Sequence, residues 1–470
     1  MLLTRILKPL SRRVVFGTRK FPRFFCLGEK EDFSDELKEL ITSDEEYNKL
    51  ADHYFQIKQA HRCLVIQPYV KWGRNKLNIT PDEQLSEAIA LINTLPAWTV
   101  EDTLAVPLDT LDRKALLKSG SMEKIRNLVQ KNSNFSAIFI NSGSLKKVTI
   151  NILQENFQRP IFDRYNIVMQ ILKAHATSKH AKLQVALAEL YYVRRKSEKD
   201  LFFRTYDPET LRLMFQEREQ KLKIEIKNIR NQRNILRNKR QKMDYPVVAV
   251  VGYTNAGKTS IIKSLTGEES LKPKNQLFAT LDVTVHKGTL PSGLEVLYID
   301  TVGFISDIPT NLIECFVATL EDALLADVIL HVEDISSKSY EYKRNHVFQT
   351  LERLQIQAES KNVLGKVIGI GNKCDLVVDQ IDQKADVLLV SAEKGQGLEE
   401  LKHQLESFIL HITGRKKITI RTSNGGDGIR WLYRNATVLE EIPDQDNLQY
   451  VFVRVIITAA NLDKFKHHFI

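Results

Sequence analysis

"VVAVVGYTNAGKTSIIKSL", Val247 to Leu265, decides the fold. The opening run of Val and Ala is too short for a buried helix and reads as a buried parallel strand. "SIIKSL" begins an amphipathic helix. Between them lies Gly252-Tyr253-Thr254-Asn255-Ala256-Gly257-Lys258-Thr259, the pattern G-x-x-x-x-G-K-[ST] in the strand–loop–helix setting that gives it physical meaning. Gly252 and Gly257 let the backbone turn its N–H groups toward phosphate, and the helix amino terminus adds partial positive charge. Lys258 can reach the β- and γ-phosphates, and Thr259 offers a hydroxyl to Mg²⁺. Tyr253, Thr254, Asn255, Ala256 and Ser260 complete the expected wall around the phosphates. The pattern alone does not choose between ATP and GTP.

Three later strands choose. "VLYIDTVGF" ends in Asp300-Thr301-Val302-Gly303, where a carboxylate can hold Mg²⁺ through water and the Gly303 N–H can meet a γ-phosphate. "KVIGIGNKCD" ends in Asn372-Lys373-Cys374-Asp375. The Asp375 carboxylate can accept guanine N1–H and N2–H together, a pair that adenine does not offer. Lys373 is expected to lay its stem along the base. "VLLVSAEKGQG" places Ser391 and Ala392 at a fourth strand end, where backbone can meet the guanine carbonyl. Four motifs in order, each at the carboxyl end of a strand, match ligand placement in open α/β sheets. They predict a GTP/GDP site. Within "QLFATLDVTVHKG", Thr280 or Thr284 can complete the Mg²⁺ shell, and Thr280 is the better placed. The expected metal ligands are Thr259 and Thr280. The residues expected at the chemistry are Lys258, Thr280, Gly303 and Asn255.

Phe304 stands where Ras-type enzymes carry the Gln that orients water, and no Arg finger is evident near the switches. Unassisted hydrolysis is therefore expected to be slow. The side-chain carbonyl of Asn255, beside the phosphates, can join switch backbone carbonyls around K⁺, which would offset developing negative charge. The alternative is that Asn255 only braces its loop.

The chain has 470 residues and a formal net charge of +10. Two segments, Met1–Gly28 and Leu211–Tyr245, each carry +7, so the remainder is acidic. The first lacks acids, is Arg-rich and puts Leu3, Ile6, Leu7 and Leu10 on one helical face, the character of a mitochondrial transit peptide. It predicts the mitochondrial matrix as destination. In the second, eleven cations against four acids point to a phosphate-rich partner contacted through its backbone. Four scattered cysteines, with no C-x-x-C, suggest neither a disulfide framework nor zinc. No apolar run reaches the roughly 18 residues of a membrane span.

Strands alternating with helices predict a small α/β domain over 45–158. "HRCLVIQPYV" and "FSAIFIN" are its strand candidates, Pro81–Leu95 is a helix capped by Thr80, and Met122–Val129 is another helix. A basic helical hairpin is expected over 159–244. Its first arm, after Pro160, reads as long helix. Its second, about Glu209–Lys242, repeats Phe215, Leu222, Ile229 and Leu236 every seven residues. The G domain is expected over 245–413. A small α+β domain over 416–470 reads strand, helix, strand, strand, helix, with Trp431 and Tyr433 in its core.

"GYTNAGKT", "QLFATLD", "DTVGFISDIP" and "ATLEDALLADVILHVED" resemble the signatures of the HflX family of translation-associated GTPases. "IFDRYNIVMQIL" and "AKLQVALAEL" resemble that family's helical part, and "LLKSGSMEKI" a degraded form of its glycine-lysine-glycine turn. The resemblance covers roughly Arg62 to Ile412. It implies an α/β fold in which a P-loop GTPase domain follows an α/β domain and a helical hairpin. It also implies binding to the large ribosomal subunit and its rRNA, in ribosome splitting or recycling and in subunit assembly. One departure is "RRKSEKDLFFRTYDPETL", which has no glycine where the family carries a glycine-rich loop. Two other readings stand beside this one. The first is a GTPase switch for a protein partner unrelated to ribosomes. The second is an assembly factor with a relic G domain. A monomer is expected.

Overall fold

The computed structural model describes residues 45–55, 60–72, 79–109, 116–197, 207–242, 245–306, 321–357, 363–377 and 387–470. The transit-like start and half of the glycine-free stretch, 198–206, lie outside the described residues. Helix α1 (Glu45–Phe55) leads into strand β1 (His61–Val70), helix α2 (Pro81–Thr94) and strand β2 (Trp98–Leu108). Helix α3 (Ser119–Lys131), strand β3 (Ala137–Ile140), helix α4 (Lys147–Phe157) and the two-residue strand β4 (Ile161–Phe162) follow. The four strands form a parallel sheet in the order β2-β1-β3-β4. Thr80 caps α2 in a full capping box with Glu83, with Pro81 at the first helical position, a cap worth about 1 kcal/mol. The glycine of "LLKSGSMEKI" is Gly120, which lies in the first turn of α3 and not in a turn before it.

The stretch expected as one long helix is two. Helix α5 (Arg164–His175) and helix α6 (Lys179–Ser197) are separated by Ala176-Thr177-Ser178. Hydroxyl side chains that bond nearby backbone compete with helix continuation, and Ser178 Oγ accepts the Ala181 N–H at 3.1 Å. Helix α7 (Pro208–Lys242) returns along α6. Phe215 and Leu222 of its heptad seam are buried and Ile229 packs against the core. The side chain of Leu236 is outside the described residues. Tyr191 donates to Glu219 at 3.1 Å and Lys179 pairs with Glu225 at 3.4 Å, joining the two arms.

Strand β5 (Val247–Gly252) enters a six-stranded sheet and is followed by helix α8 (Lys258–Thr266). Then come strands β6 (Thr284–Thr289), β7 (Glu295–Asp300) and β8 (Val328–Asp334), and helix α9 (Tyr340–Gln357). Strands β9 (Val367–Asn372) and β10 (Leu388–Leu389) and helix α10 (Leu398–Ile412) complete the unit. The order is β10-β9-β8-β5-β7-β6, parallel except for the β6 edge. The chain leaves β5 toward β7 on one side and later returns to β8 on the other, so the crevice opens at the end of β5.

Strand β11 (Arg415–Ser423), helix α11 (Asp427–Asn435), strands β12 (Thr437–Pro443) and β13 (Tyr450–Thr458) and helix α12 (Ala459–Phe469) form the expected α+β unit. Trp431 packs against Phe465, but Tyr433 is 45% exposed and not core. It sits on the helix face away from Ile429 and Leu432, which point into the sheet. One apolar core runs through the first sheet (Cys63, Val65), α5 and α6 (Ile171, Leu183) and the second sheet (Ala249, Ile299).

Candidate nucleotide site

The loop after β5 is built by glycines that nothing else can replace. A Cβ on Gly252 would lie 2.3 Å from the Val332 carbonyl oxygen. Gly257 has φ 94°, and a Cβ there would meet Asn372 Nδ2 at 2.3 Å. Lys258 then starts α8 and is buried, with Nζ 3.3 Å from Gly252 O and 3.1 Å from Tyr253 O. Burial pulls its ammonium down to about 8, against the opposing pull of Asp300. Asp300 is 1% exposed, and burial raises its carboxyl although Lys258 opposes this. Both groups are shifted toward neutrality because each is desolvated. An anionic phosphate and a divalent cation would favour the charged form of each. Gly303 packs on Thr254 and Lys258 so tightly that a Cβ would fall 2.8 Å from Thr254 Cα.

The expected metal residues come together. Thr259 Oγ1 donates to Asp300 Oδ2 at 2.6 Å, Thr280 Oγ1 to the same oxygen at 3.1 Å, and the two hydroxyls are 3.1 Å apart. Asp300 Oδ1 is buried with no hydrogen-bond partner among the described residues. Two hydroxyls and a carboxylate are hard oxygen donors of the kind Mg²⁺ takes, so the residues fit that ion. Thr284, the other candidate, is in β6 and its hydroxyl bonds to His286 at 2.8 Å.

The crevice has two ends. At the phosphate end a cavity of about 60 Å³ is lined by Lys258, Thr259, Ser260, Thr280 and Gly303. At the base end a cavity of about 590 Å³ is lined by Asn372, Lys373, Asp375, Ser391 and Ala392. Gly257, Ser260 and Pro273 belong to both.

At the base end Asn372 is buried, donates to Ala256 O at 2.9 Å and accepts from Ala392 N at 3.1 Å. It braces the phosphate loop against the fourth motif. The Ser391 and Ala392 N–H groups are donated to Gln396 O and Asn372 Oδ1, so neither is free for a guanine carbonyl. Lys373, at φ 65°, sends Nζ to Asp334 Oδ2 at 2.6 Å and to Asn255 O at 2.9 Å. Asp375 follows in a short 3₁₀ turn at the cavity wall.

Asn255 is exposed, at φ 61°, and its Nδ2 donates to Asn275 Oδ1 at 2.8 Å. That ties the phosphate loop to the first-switch segment and leaves the Asn255 carbonyl as an acceptor. Phe304 is buried, and its backbone exchanges hydrogen bonds with Gly252 O at 3.0 Å and Thr254 N at 2.7 Å. A Phe side chain held in the core at this point does not orient water.

Sequence reading missed the second role of Tyr253. Its hydroxyl donates to Glu87 Oε2 at 2.8 Å, lies 3.0 Å from Ser306 Oγ and accepts the Ser306 N–H at 2.8 Å. Glu87 also pairs with buried Arg164, which donates to Asn141 Oδ1 at 2.7 Å and to Ser306 O at 3.1 Å. The phosphate loop, the segment after Gly303 and the first sheet thus share one polar network. The partners are 23 to 166 residues apart in sequence, so no local pattern announced them.

With this geometry in hand, comparison with known proteins is decisive. A family model described as 50S ribosome-binding GTPase matches residues 247–373, and one described as GTP-binding GTPase N-terminal matches residues 82–172. The "GTPase HflX" of Lacrimispora saccharolytica is 30% identical over 69% of this chain and 78% of its own. This chain belongs to the HflX family. Human "Putative GTP-binding protein 6" is 38% identical over 87% of this chain and 81% of that one. A crystal structure of a GTP-binding protein from Sulfolobus solfataricus in complex with GDP covers 75% of this chain and 99% of that chain. Its identity is 21% and its TM-score 0.41, too distant to carry an argument. As a member of this family the chain is a P-loop GTPase: it binds GTP and GDP and hydrolyses GTP to GDP and phosphate.

Proposed function

We propose that this HflX-family GTPase acts on the large subunit of the mitochondrial ribosome, in splitting or recycling ribosomes and in large-subunit assembly. In the GTP form it docks as a monomer, rRNA orders the switches and hydrolysis permits release. The observation that carries this reading is the excess of cations along α7 in a chain with a complete set of nucleotide motifs. Lys221 and Lys227 of that helix are exposed. Not every cation of the segment is available. Arg218 lies 4.0 Å over the Tyr47 ring, Arg233 pairs with buried Asp322 at 2.6 Å, and Arg230 pairs with Glu321. These three hold the fold, so the phosphate-binding face is narrower than the raw charge implied. Among the described residues no helix is long and apolar enough to cross a membrane. The acid-free amino terminus supports delivery to the mitochondrial matrix.

In this reading Lys258 stabilises phosphate charge and the loop from Gly252 to Ser260 cradles the phosphates. Gly303 N–H senses the γ-phosphate, and Asp375 selects guanine. Thr259 and Thr280 would ligate Mg²⁺, with Asp300 holding it from behind. When bound, the ion neutralises charge on the β- and γ-phosphate oxygens. K⁺ at Asn255 is a further proposal: its carbonyl is beside the phosphates and its amide is already anchored on Asn275. The test measures GTP turnover with and without mitochondrial large subunits, in K⁺ and in Na⁺. Stimulation by subunits is expected, and faster turnover in K⁺. Turnover indifferent to subunits sinks the ribosomal reading in favour of a protein-partner switch. Equal rates in the two salts remove the role given to Asn255.

A further inference from the structure

The break between α5 and α6 seats the loop that carries Thr280, on both of its sides. Before Thr280, His175 Nδ1 lies 2.9 Å from the Phe278 carbonyl oxygen, which accepts its proton. After Thr280, Asp282 accepts from Thr177 Oγ1 at 2.8 Å, from Ser178 N at 3.0 Å and from the Ser178 hydroxyl. Asp282 therefore caps the start of α6 from another part of the chain, where a carboxylate is favoured by the helix dipole. Phe278 has φ 54°, a conformation that residues other than glycine rarely take. It persists because its ring is buried and its carbonyl is held. Leu277, Phe278, Leu281 and Val283 enter the same apolar core as Leu172, Ala176 and Ala181. The first-switch segment of this protein is thus fastened at 278 and 282, with the Thr280 hydroxyl between them on Thr259 and Asp300. The other arm of the hairpin grips the segment at 321–322 through Arg230 and Arg233.

We propose that Asp282 and His175 are positioning residues for GTP hydrolysis: the α5–α6 turn holds residues 278–282 so that Thr280 is delivered to Mg²⁺. This rests on the reading of Thr280 as a Mg²⁺ ligand. The hairpin that carries the cationic face is then the element that sets the geometry of the first switch.

Asp282→Ala removes all three hydrogen bonds, the double variant Thr177→Val/Ser178→Ala removes the two hydroxyl bonds and leaves the Ser178 N–H, and both are made in the full chain. Expected are GDP affinity within about twofold of the parent, kcat lowered about 10–100-fold by misplacement of Thr280, and Mg²⁺ half-saturation of turnover raised about tenfold. Combining the two changes should lower kcat no further than Asp282→Ala alone, because the hydroxyl bonds to Asp282 are shared, and the additional loss of the Ser178 cap on Ala181 should show in stability only. His175→Asn, which keeps a donor for the Phe278 carbonyl, should retain activity that His175→Ala loses. Thr280→Ala isolates the underlying reading: parental turnover and Mg²⁺ dependence in that variant defeat the Mg²⁺ assignment itself. If Thr280→Ala is impaired while Asp282→Ala, or the double variant should Asp282→Ala not fold, keeps parental kcat and Mg²⁺ dependence, the positioning role is overturned. It is overturned equally by a fall in kcat with the Mg²⁺ half-saturation unmoved, the signature of general loosening.

Discussion

The protein contains two largely parallel sheets with the same kind of switch point, and their polar groups are arranged differently there. In the second sheet the chain turns away from β5 in both directions, and the crevice there receives Gly252 to Lys258. In the first sheet β1 lies between β2 and β3, and the corresponding end receives Gln67 and Asn141. There the polar groups satisfy one another. Asn141 Nδ2 donates to Gln67 Oε1 at 2.5 Å, Gln67 Nε2 to Gln84 Oε1 at 2.9 Å, and Arg164 closes the network onto Glu87. In the crevice at the end of β5 a buried carboxylate oxygen has no hydrogen-bond partner among the described residues and burial pulls the ammonium of a buried lysine down to about 8. The fold offers a place; unsatisfied charge decides whether a ligand uses it. The two sheets are not independent, because Tyr253 of the catalytic loop donates into the satisfied network of the other.

That contrast breaks most sharply at Lys258. Lys258→Ala should lower GTP turnover by about 10²–10³-fold with little change in the urea midpoint. Equal loss of stability and activity would erase the distinction between the two sheet ends. Arg164→Met is the mirror experiment. It strands Glu87 beside buried amides and should cost about 3–5 kcal/mol, read as a lower urea midpoint at unchanged slope, while kcat per folded molecule stays near the parent. Asp375→Ala should weaken GTP roughly 10²-fold and leave ATP unaffected, since only guanine offers the paired donors. Competition binding with both nucleotides reads this directly.

Acid–base behaviour sharpens the comparison further. Burial holds the Lys258 ammonium near 8 in the free protein, and bound phosphate favours its charged form. Binding therefore takes up a proton above pH 8 and none below it. GTP affinity should be flat below that pH and fall up to about tenfold per unit above it. Calorimetry in buffers of different ionisation heat would show the proton uptake. A flat affinity to pH 9.5 would mean that Lys258 stays charged without ligand. The smallest effect belongs to the bridge. Tyr253→Phe removes one hydroxyl with two partners and should cost about 1–3 kcal/mol of stability, with GTP affinity within about threefold.

Much of this was legible because it is local. The capping box of Thr80 and Glu83, the strand at Val247–Gly252 and the helix start at Lys258 each depend on residues a few positions apart. The C-terminal alternation of strand and helix was readable for the same reason, although Tyr433 turned outward. The long helix expected after Pro160 failed at Thr177-Ser178, because the partner that rewards breaking it, Asp282, is 104 residues away. The cations of α7 could be counted from sequence but not sorted. Whether Arg233 meets rRNA or Asp322 depends on where the chain folds back. Asn372 was legible only as a member of its motif, whereas packing makes its amide a brace between Ala256 and Ala392.

Sequence by itself determined the strand–loop–helix that cradles phosphate, the order of the four nucleotide motifs and membership in a GTPase class. These follow from residue types whose backbone freedom, charge and hydrogen-bonding capacity act over a few positions. Only the tertiary structure decided which residues fasten the site: Asp282 and His175 on the first switch, Asn372 under the phosphate loop, Glu87 and Arg164 behind Tyr253. Those bonds join groups far apart in the chain. They form only once a shared apolar core has fixed both ends and withdrawn the polar groups from water, where pairing becomes worth its entropy.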